Sequence, residues 1–116
     1  MMRRGDIRSI DLDPVRGSEA NKRRPAIIVS NDAANATASR LGRGVITVVP
    51  VASNIDHVYP FQGLLPAEDT GLDRESKVQA EQVRCVALER IGSRLGVVPN
   101  AIMLKIDEAL RLHLAL

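Results

Sequence analysis

Arg-Gly-Ser-Glu-Ala-Asn-Lys-Arg-Arg-Pro-Ala-Ile-Ile-Val-Ser, residues 16–30, changes character part-way along. Its first nine positions hold four cations, Arg16, Lys22, Arg23 and Arg24, and one anion, Glu19. Its last six, from Pro25, turn apolar and β-branched, the composition of a buried strand that is expected to be central in its sheet. Proline has no N–H for a ladder, so Pro25 is expected at the first residue of that strand. Arg24 then stands where a loop meets a sheet, a place where a rigid scaffold holds functional groups. Guanidinium groups clustered there suit an anion, and phosphate is the commonest candidate.

At 116 residues the chain is expected to be one domain, 1–116, with one modest core. Tyr59 and Phe61 are its only aromatic residues, so Ile, Val and Leu must fill that core. The net charge of +2 hides an asymmetry: residues 1–43 carry nine Lys/Arg against five Asp/Glu, and residues 44–116 carry seven against nine. A basic N-terminal third suits a polyanionic partner. Cys85 is the single cysteine, which rules out an intrachain disulfide and points to a reducing compartment, the cytoplasm. Arg3 and Arg4 are followed by acidic residues rather than an apolar run, so no signal peptide is expected. No apolar stretch reaches the roughly 18 residues a membrane span needs.

Read in order, the chain suggests a strand over 4–12, with Ile10 and Leu12 on one face and Ile7 on the other. Asp13-Pro14 opens the loop that leads to the 25–30 strand. Asn31-Asp32 caps a short helical turn through Ala36. Arg40–Gly44 reads as a turn, Val45–Val51 as a third strand, and Ala52–His57 as a polar connection. Tyr59–Leu65 reads as a fourth strand, residues 67–76 as a charged loop and Lys77–Ala87 as extended, while Glu89–Leu95 suggests a short helical turn. Pro99 fits the first turn of a terminal helix. On that helix Ile102, Ile106, Ala109, Leu110 and His113 or Leu114 share a stripe at helical spacing, read as core or partner contact. The class is α+β, mainly β: a small, twisted, barrel-like sheet with a C-terminal helix against it.

A set of short motifs runs the length of the chain: Arg-Gly-Asp-Ile (4–7), Asp-Leu-Asp-Pro (11–14), Gly-Ser-Glu (17–19), Arg-Pro-Ala-Ile-Ile-Val-Ser-Asn-Asp (24–32) and Val-Pro-Val (49–51). Tyr-Pro-Phe (59–61), Glu-Gln-Val-Arg (81–84) and Ile-Asp-Glu-Ala-Leu (106–110) complete it. In order and spacing this set resembles the MazF/PemK family of toxins, mycobacterial members above all. The resemblance implies an SH3-like barrel, a homodimer, and a sequence-specific endoribonuclease that cleaves single-stranded RNA. It also implies a MazE-like antitoxin as partner, whose tail covers the RNA groove. The family's catalytic arginine matches Arg24, and its loop residues for RNA and antitoxin match Gly17, Ser18 and Glu19.

The chain departs from the family pattern at two places. The catalytic threonine that follows Val-Pro-Val is Ala52 here, and alanine offers no hydroxyl. Ser53 is next to it, yet neighbouring strand residues face opposite sides, so only an irregular backbone lets Ser53 replace that hydroxyl. Arg8 stands where the family usually has tryptophan.

RNA carries its own nucleophile. Attack of the 2′-hydroxyl on the adjacent phosphate leaves a 2′,3′-cyclic phosphate and a 5′-hydroxyl, and this needs neither metal nor cofactor if the protein stabilises the phosphorane. Arg24 suits that task as a bidentate donor. Ser53 is the candidate hydroxyl and Glu19 the nearest acidic candidate for the base. Arg16, Lys22 and Arg23 are expected to position phosphates. Ser18, Asn54, Glu81 and Gln82 are further candidates for RNA contact, with Glu81 and Arg84 also expected to pair with each other. His57 and His113 are not at metal-ligand spacing, and no metal site is expected. Cys85 is read as a small buried apolar group. Two other readings stay open: a catalytically silent relative that binds RNA or antitoxin, and a gyrase poison on the same fold, as in CcdB.

Overall fold

The structure, a computed structural model, describes residues 2–116. Period-two alternation decides its architecture. In β1 (Asp6–Asp11) and just beyond it, Ile10 and Leu12 face one side and Ile7 the other. In β2 (Arg23–Ile28), Ala26 and Ile28 oppose Ile27, and in β3 (Val45–Ala52), Ile46 and Val48 oppose Val49 and Val51. Each set gathers in its own core. The first is covered by Ala38 of α1 (Asp32–Leu41), the second by Met103 and Ile106 of α3 (Asn100–Leu114). Burial on both faces is why residues 25–29 read as an unbroken apolar run.

The remaining elements are β4 (Gln62–Leu65), the single helical turn α2 (Ala67–Thr70), β5 (Ser76–Gln79), β6 (Arg84–Ala87) and β7 (Ile91–Val97). The strands run β4-β5-β3-β2-β1-β7, every neighbour antiparallel. β2 is central, as expected. β3 serves two partners along its length: Val45–Val48 pair with β6 and Val51–Ala52 with β5. The mainly β class with a terminal helix agrees with the sequence reading. The path ends on β4 and β7 without closing, so the barrel is open.

Several boundaries differ from expectation. β2 begins two residues early, at Arg23, and Pro25 lies inside it. Residues 23–25 pair only with β1, because pairing with β3 starts at Ala26; one side of the strand is an edge there, where proline is tolerated. α1 is a full helix rather than a turn and takes in Arg40 and Leu41. The Asn31 side chain accepts from the Ala34 N–H at its start, and Gly42 closes it in the left-handed conformation. The fourth strand starts only at Gln62, and the 67–76 loop holds α2. The 77–87 stretch is broken by a 3-10 turn at Ala80–Gln82, so Glu81 and Gln82 are not on a strand. Residues 89–95 are not helical beyond a 3-10 turn at Leu88–Arg90; they continue into β7. β7 lacks an apolar alternation because it is a largely exposed edge strand held by backbone pairing to β1. Cys85 is exposed rather than buried, opposite Thr47 on an edge strand. The α3 stripe is core at Ile106 and Ala109, half-buried at Ile102 and Leu110, and exposed at His113 and Leu114.

Gly96 decides how closely β7 approaches α2. A Cβ there would lie 1.9 Å from the Thr70 carbonyl oxygen, a backbone atom that cannot turn aside. Gly96→Ala is expected to destabilise the fold by about 1–3 kcal/mol through overpacking. Urea denaturation checks it, and an unchanged midpoint would contradict the contact.

Candidate functional site

The loop between β1 and β2 is stapled rather than free. The Leu12 N–H donates to the Lys22 carbonyl at 3.0 Å, and the Lys22 N–H donates to an Asp13 carboxylate oxygen at 2.9 Å. Gln82 reaches it from the 3-10 turn: its Oε1 accepts from the Ala20 N–H at 3.1 Å, and its Nε2 donates to the Ser18 carbonyl at 2.9 Å. Arg84 Nη1 donates to the Leu12 carbonyl at 3.3 Å. Lys22 itself has φ of 63°, the left-handed region. That conformation costs a non-glycine residue about 1–2 kcal/mol, and strain of this kind clusters at functional sites.

Arg24 leaves this loop half-buried and fixed. Its Nε donates to the Asn21 carbonyl at 2.8 Å and its Nη2 to Asn21 Oδ1 at 3.0 Å. The guanidinium has further N–H donors beyond these two. Among the described residues the ion pairs are Arg4–Asp107 and Arg8–Asp6, so no carboxylate of the chain neutralises Arg24.

Arg24 lines a groove of about 580 Å³. Lys22, Arg23 and Arg74 line it too, giving four cations against one carboxylate, Asp73. The strand end supplies Ala52, Ser53 and Asn54. β3 stops at Ala52 and the chain bends at Ser53, so strand alternation no longer governs Ser53. Both residues therefore line the same groove. The far wall comes from Gly71–Arg74 and Leu95, the segments whose close approach Gly96 permits.

Of the residues singled out from sequence, the structure brings together Lys22, Arg23, Arg24, Ser53 and Asn54. It does not bring Glu19, Arg16 or Ser18 into the groove wall. The Glu19 carboxylate accepts from the Arg16 N–H at 2.9 Å and organises the loop. Gln82 acts on the loop as described. Glu81 does not pair with Arg84: one of its oxygens accepts from Gln62 Nε2 at 2.7 Å, and the other is buried without a partner. Arg8 is engaged by its own chain, 3.6 Å from Asp6 and donating to the Gly92 carbonyl at 3.1 Å. Sequence reasoning missed Asn21, Asp73 and Arg74. Asn21, three positions before Arg24, had a signal in that short spacing. Asp73 and Arg74 had none, because only the pairing of β5 with β3 brings their segment across.

The family "PemK-like, MazF-like toxin of type II toxin-antitoxin system" matches residues 3–114 of the chain. Endoribonuclease MazF9 of Mycobacterium tuberculosis is 64% identical over 116 residues, 100% of this chain and 98% of the relative. An endoribonuclease solved in complex with its cognate antitoxin, from a mycobacterial species, superposes with a TM-score of 0.78 at 25% identity, covering 100% of this chain and 97% of that one. A MazE–MazF complex from Deinococcus radiodurans gives 0.75 at 26% identity, covering 99% and 96%.

Proposed function

Because the chain belongs to the PemK-like, MazF-like toxin family of type II toxin–antitoxin systems, we propose that its basic groove is the cleavage site of an endoribonuclease toxin. The substrate is single-stranded RNA, cut at particular sequences. Its partners are a second copy of the chain and a MazE-like antitoxin, whose tail competes for the groove; similar toxins have been solved with their antitoxins. No helix among the described residues is long and apolar enough to cross a membrane, and we place the protein in the cytoplasm.

One observation carries this reading: Arg24 is held by Asn21 on the wall that also presents a hydroxyl, Ser53. In the reaction the 2′-oxygen bonds to phosphorus and loses its proton. The bond from phosphorus to the 5′-oxygen breaks, and that oxygen takes a proton from solvent water. Arg24 holds the phosphorane oxygens, where charge grows most. Ser53 donates a further hydrogen bond, and Lys22, Arg23 and Arg74 position the flanking phosphates. Asp73 is the groove carboxylate that accepts the 2′ proton; Glu19 keeps the loop in shape.

The test is incubation of the purified protein with mixed-sequence single-stranded RNA in EDTA. Cleavage should persist, and the products should carry 2′,3′-cyclic phosphate and 5′-hydroxyl ends. Cleavage abolished by EDTA, or 5′-phosphate products, would sink the mechanism. Asn21→Ala leaves Arg24 without its side-chain anchor. Loss of one hydrogen bond to a charged group, about 1.5 kcal/mol, should slow turnover by about tenfold with KM nearly unchanged. A change confined to KM would show that Asn21 does not orient Arg24.

A further inference from the structure

In an aromatic-poor chain, every aromatic and imidazole ring stands in one row. The chain has one tyrosine, one phenylalanine, two histidines and no tryptophan. His57 and Tyr59 have ring centroids 4.3 Å apart, tilted by 41°. Tyr59 and Phe61 lie 5.2 Å apart and nearly parallel, at 4°. Phe61 and His113 follow at 6.4 Å and 48°. The row runs from the β3–β4 connection to the end of α3. Its rings do not join either core: Phe61 is half-buried, Tyr59 is 47% exposed, and both histidines are exposed. Large rings usually serve as core filling. Here aliphatic residues fill both cores and the rings are left at the surface, the placement that marks a contact site.

The row is also held stiff. The Tyr59 N–H donates to Gln62 Oε1 at 3.1 Å, and the Gln62 N–H donates to the Tyr59 carbonyl at 2.8 Å. Gln62 is buried, and its Nε2 is anchored on Glu81. At the other end, Lys77 Nζ donates to the His57 carbonyl at 2.8 Å. Lys77 stands opposite Ala52 in the sheet register, and Ala52 lines the groove. His57 follows Asn54, another groove residue, by three positions, which chain length limits to about 11 Å.

We propose that this row is a base-stacking subsite. An unpaired nucleobase of the RNA whose phosphate lies at Arg24 rests on His57, the groove-side end of the row, with Tyr59 and Phe61 behind it. The proposal rests on the ribonuclease reading of the groove. The cations hold phosphates and carry no information on where a base sits. A ring stack holds any base by its π face and sets the path of the strand as it leaves the groove.

Tyr59 is the only tyrosine and tryptophan is absent, so intrinsic fluorescence reports this row alone. The experiment titrates the full chain with a labelled, mixed-sequence 2′-O-methyl RNA, which lacks the nucleophile and so separates binding from cleavage. Tyr59 emission should change with the same midpoint as RNA anisotropy. His57→Ala should bind roughly 5- to 150-fold more weakly, the effect of losing one stacked base. His57→Phe, which keeps a ring, should stay within about threefold of the parent chain. Three results would overturn the subsite: His57→Ala binding like the parent, His57→Phe binding as weakly as His57→Ala, or a change of oligomeric state in His57→Ala, which would assign the row to a contact between copies. A parent chain that cuts RNA while Tyr59 stays silent and His57→Ala binds normally brings down the subsite alone. A parent chain that neither binds nor cuts RNA brings down the ribonuclease reading with it.

Discussion

Arg24→Ala is expected to cleave RNA roughly 10²–10³-fold more slowly than the parent chain, the usual loss when one preorganised donor to a growing negative charge is removed. The loss should appear in kcat, because the phosphorane gains charge that the ground-state phosphodiester lacks. Binding of 2′-O-methyl RNA should fall far less, since Lys22, Arg23 and Arg74 still line the groove. Arg24→Lys should recover only part of the rate. It keeps the charge but loses the planar fork that Asn21 grips at two points. Single-turnover cleavage with saturating enzyme separates these quantities. An Arg24→Ala chain that cuts within threefold of the parent rate would remove the guanidinium from the mechanism.

Ser53→Ala is expected to lower the cleavage rate by about ten- to a hundredfold, somewhat below a full oxyanion-hole donor because Ser53 is exposed. The backbone is the reason. Ala52 is the last residue of β3, and the chain bends immediately after it, so residues 52 and 53 both line the groove rather than facing opposite sides. A hydroxyl at either position then reaches the same space. Ala52→Thr should therefore change the parent rate little and restore most of the rate in the Ser53→Ala background. This coupling is read from a double-mutant cycle. Additive effects would show that the two positions do not substitute for one another. A large gain from Ala52→Thr alone would mean that the natural chain lacks its hydroxyl and is nearly silent.

The groove shows how far composition and pattern carry. The four cations of residues 16–24 read as a cluster suited to an anion, and the apolar run from Pro25 as a central strand. In the structure Lys22, Arg23 and Arg24 line the groove and Arg16 does not. What periodicity could not show is direction within a loop. Arg16 and Glu19 lie in the same loop as Lys22, yet Glu19 accepts from the Arg16 backbone while Lys22 lines the groove. Lys77–Ala87 reads as extended, with Val78, Ala80, Gln82, Arg84 and Val86 on one face, which would put Glu81 and Gln82 on a strand. The 3-10 turn at Ala80–Gln82 breaks that alternation and turns Gln82 onto the loop backbone. β7 was invisible because an edge strand needs only backbone partners, and backbone pairing leaves no mark on side-chain pattern.

The sequence by itself determined a mainly antiparallel β fold with a terminal helix, two-sided burial of β2 and a basic N-terminal third. These follow from local chemistry: apolar period, β-branching, caps and charge count. Only the tertiary structure decided which cations share a groove, that Asn21 holds Arg24, that Ser53 lines the same groove as Ala52, and that four scattered rings form a row. Those facts depend on strand register and on where β3 stops. Register is a property of paired segments distant in the chain, and no short stretch of residues contains it.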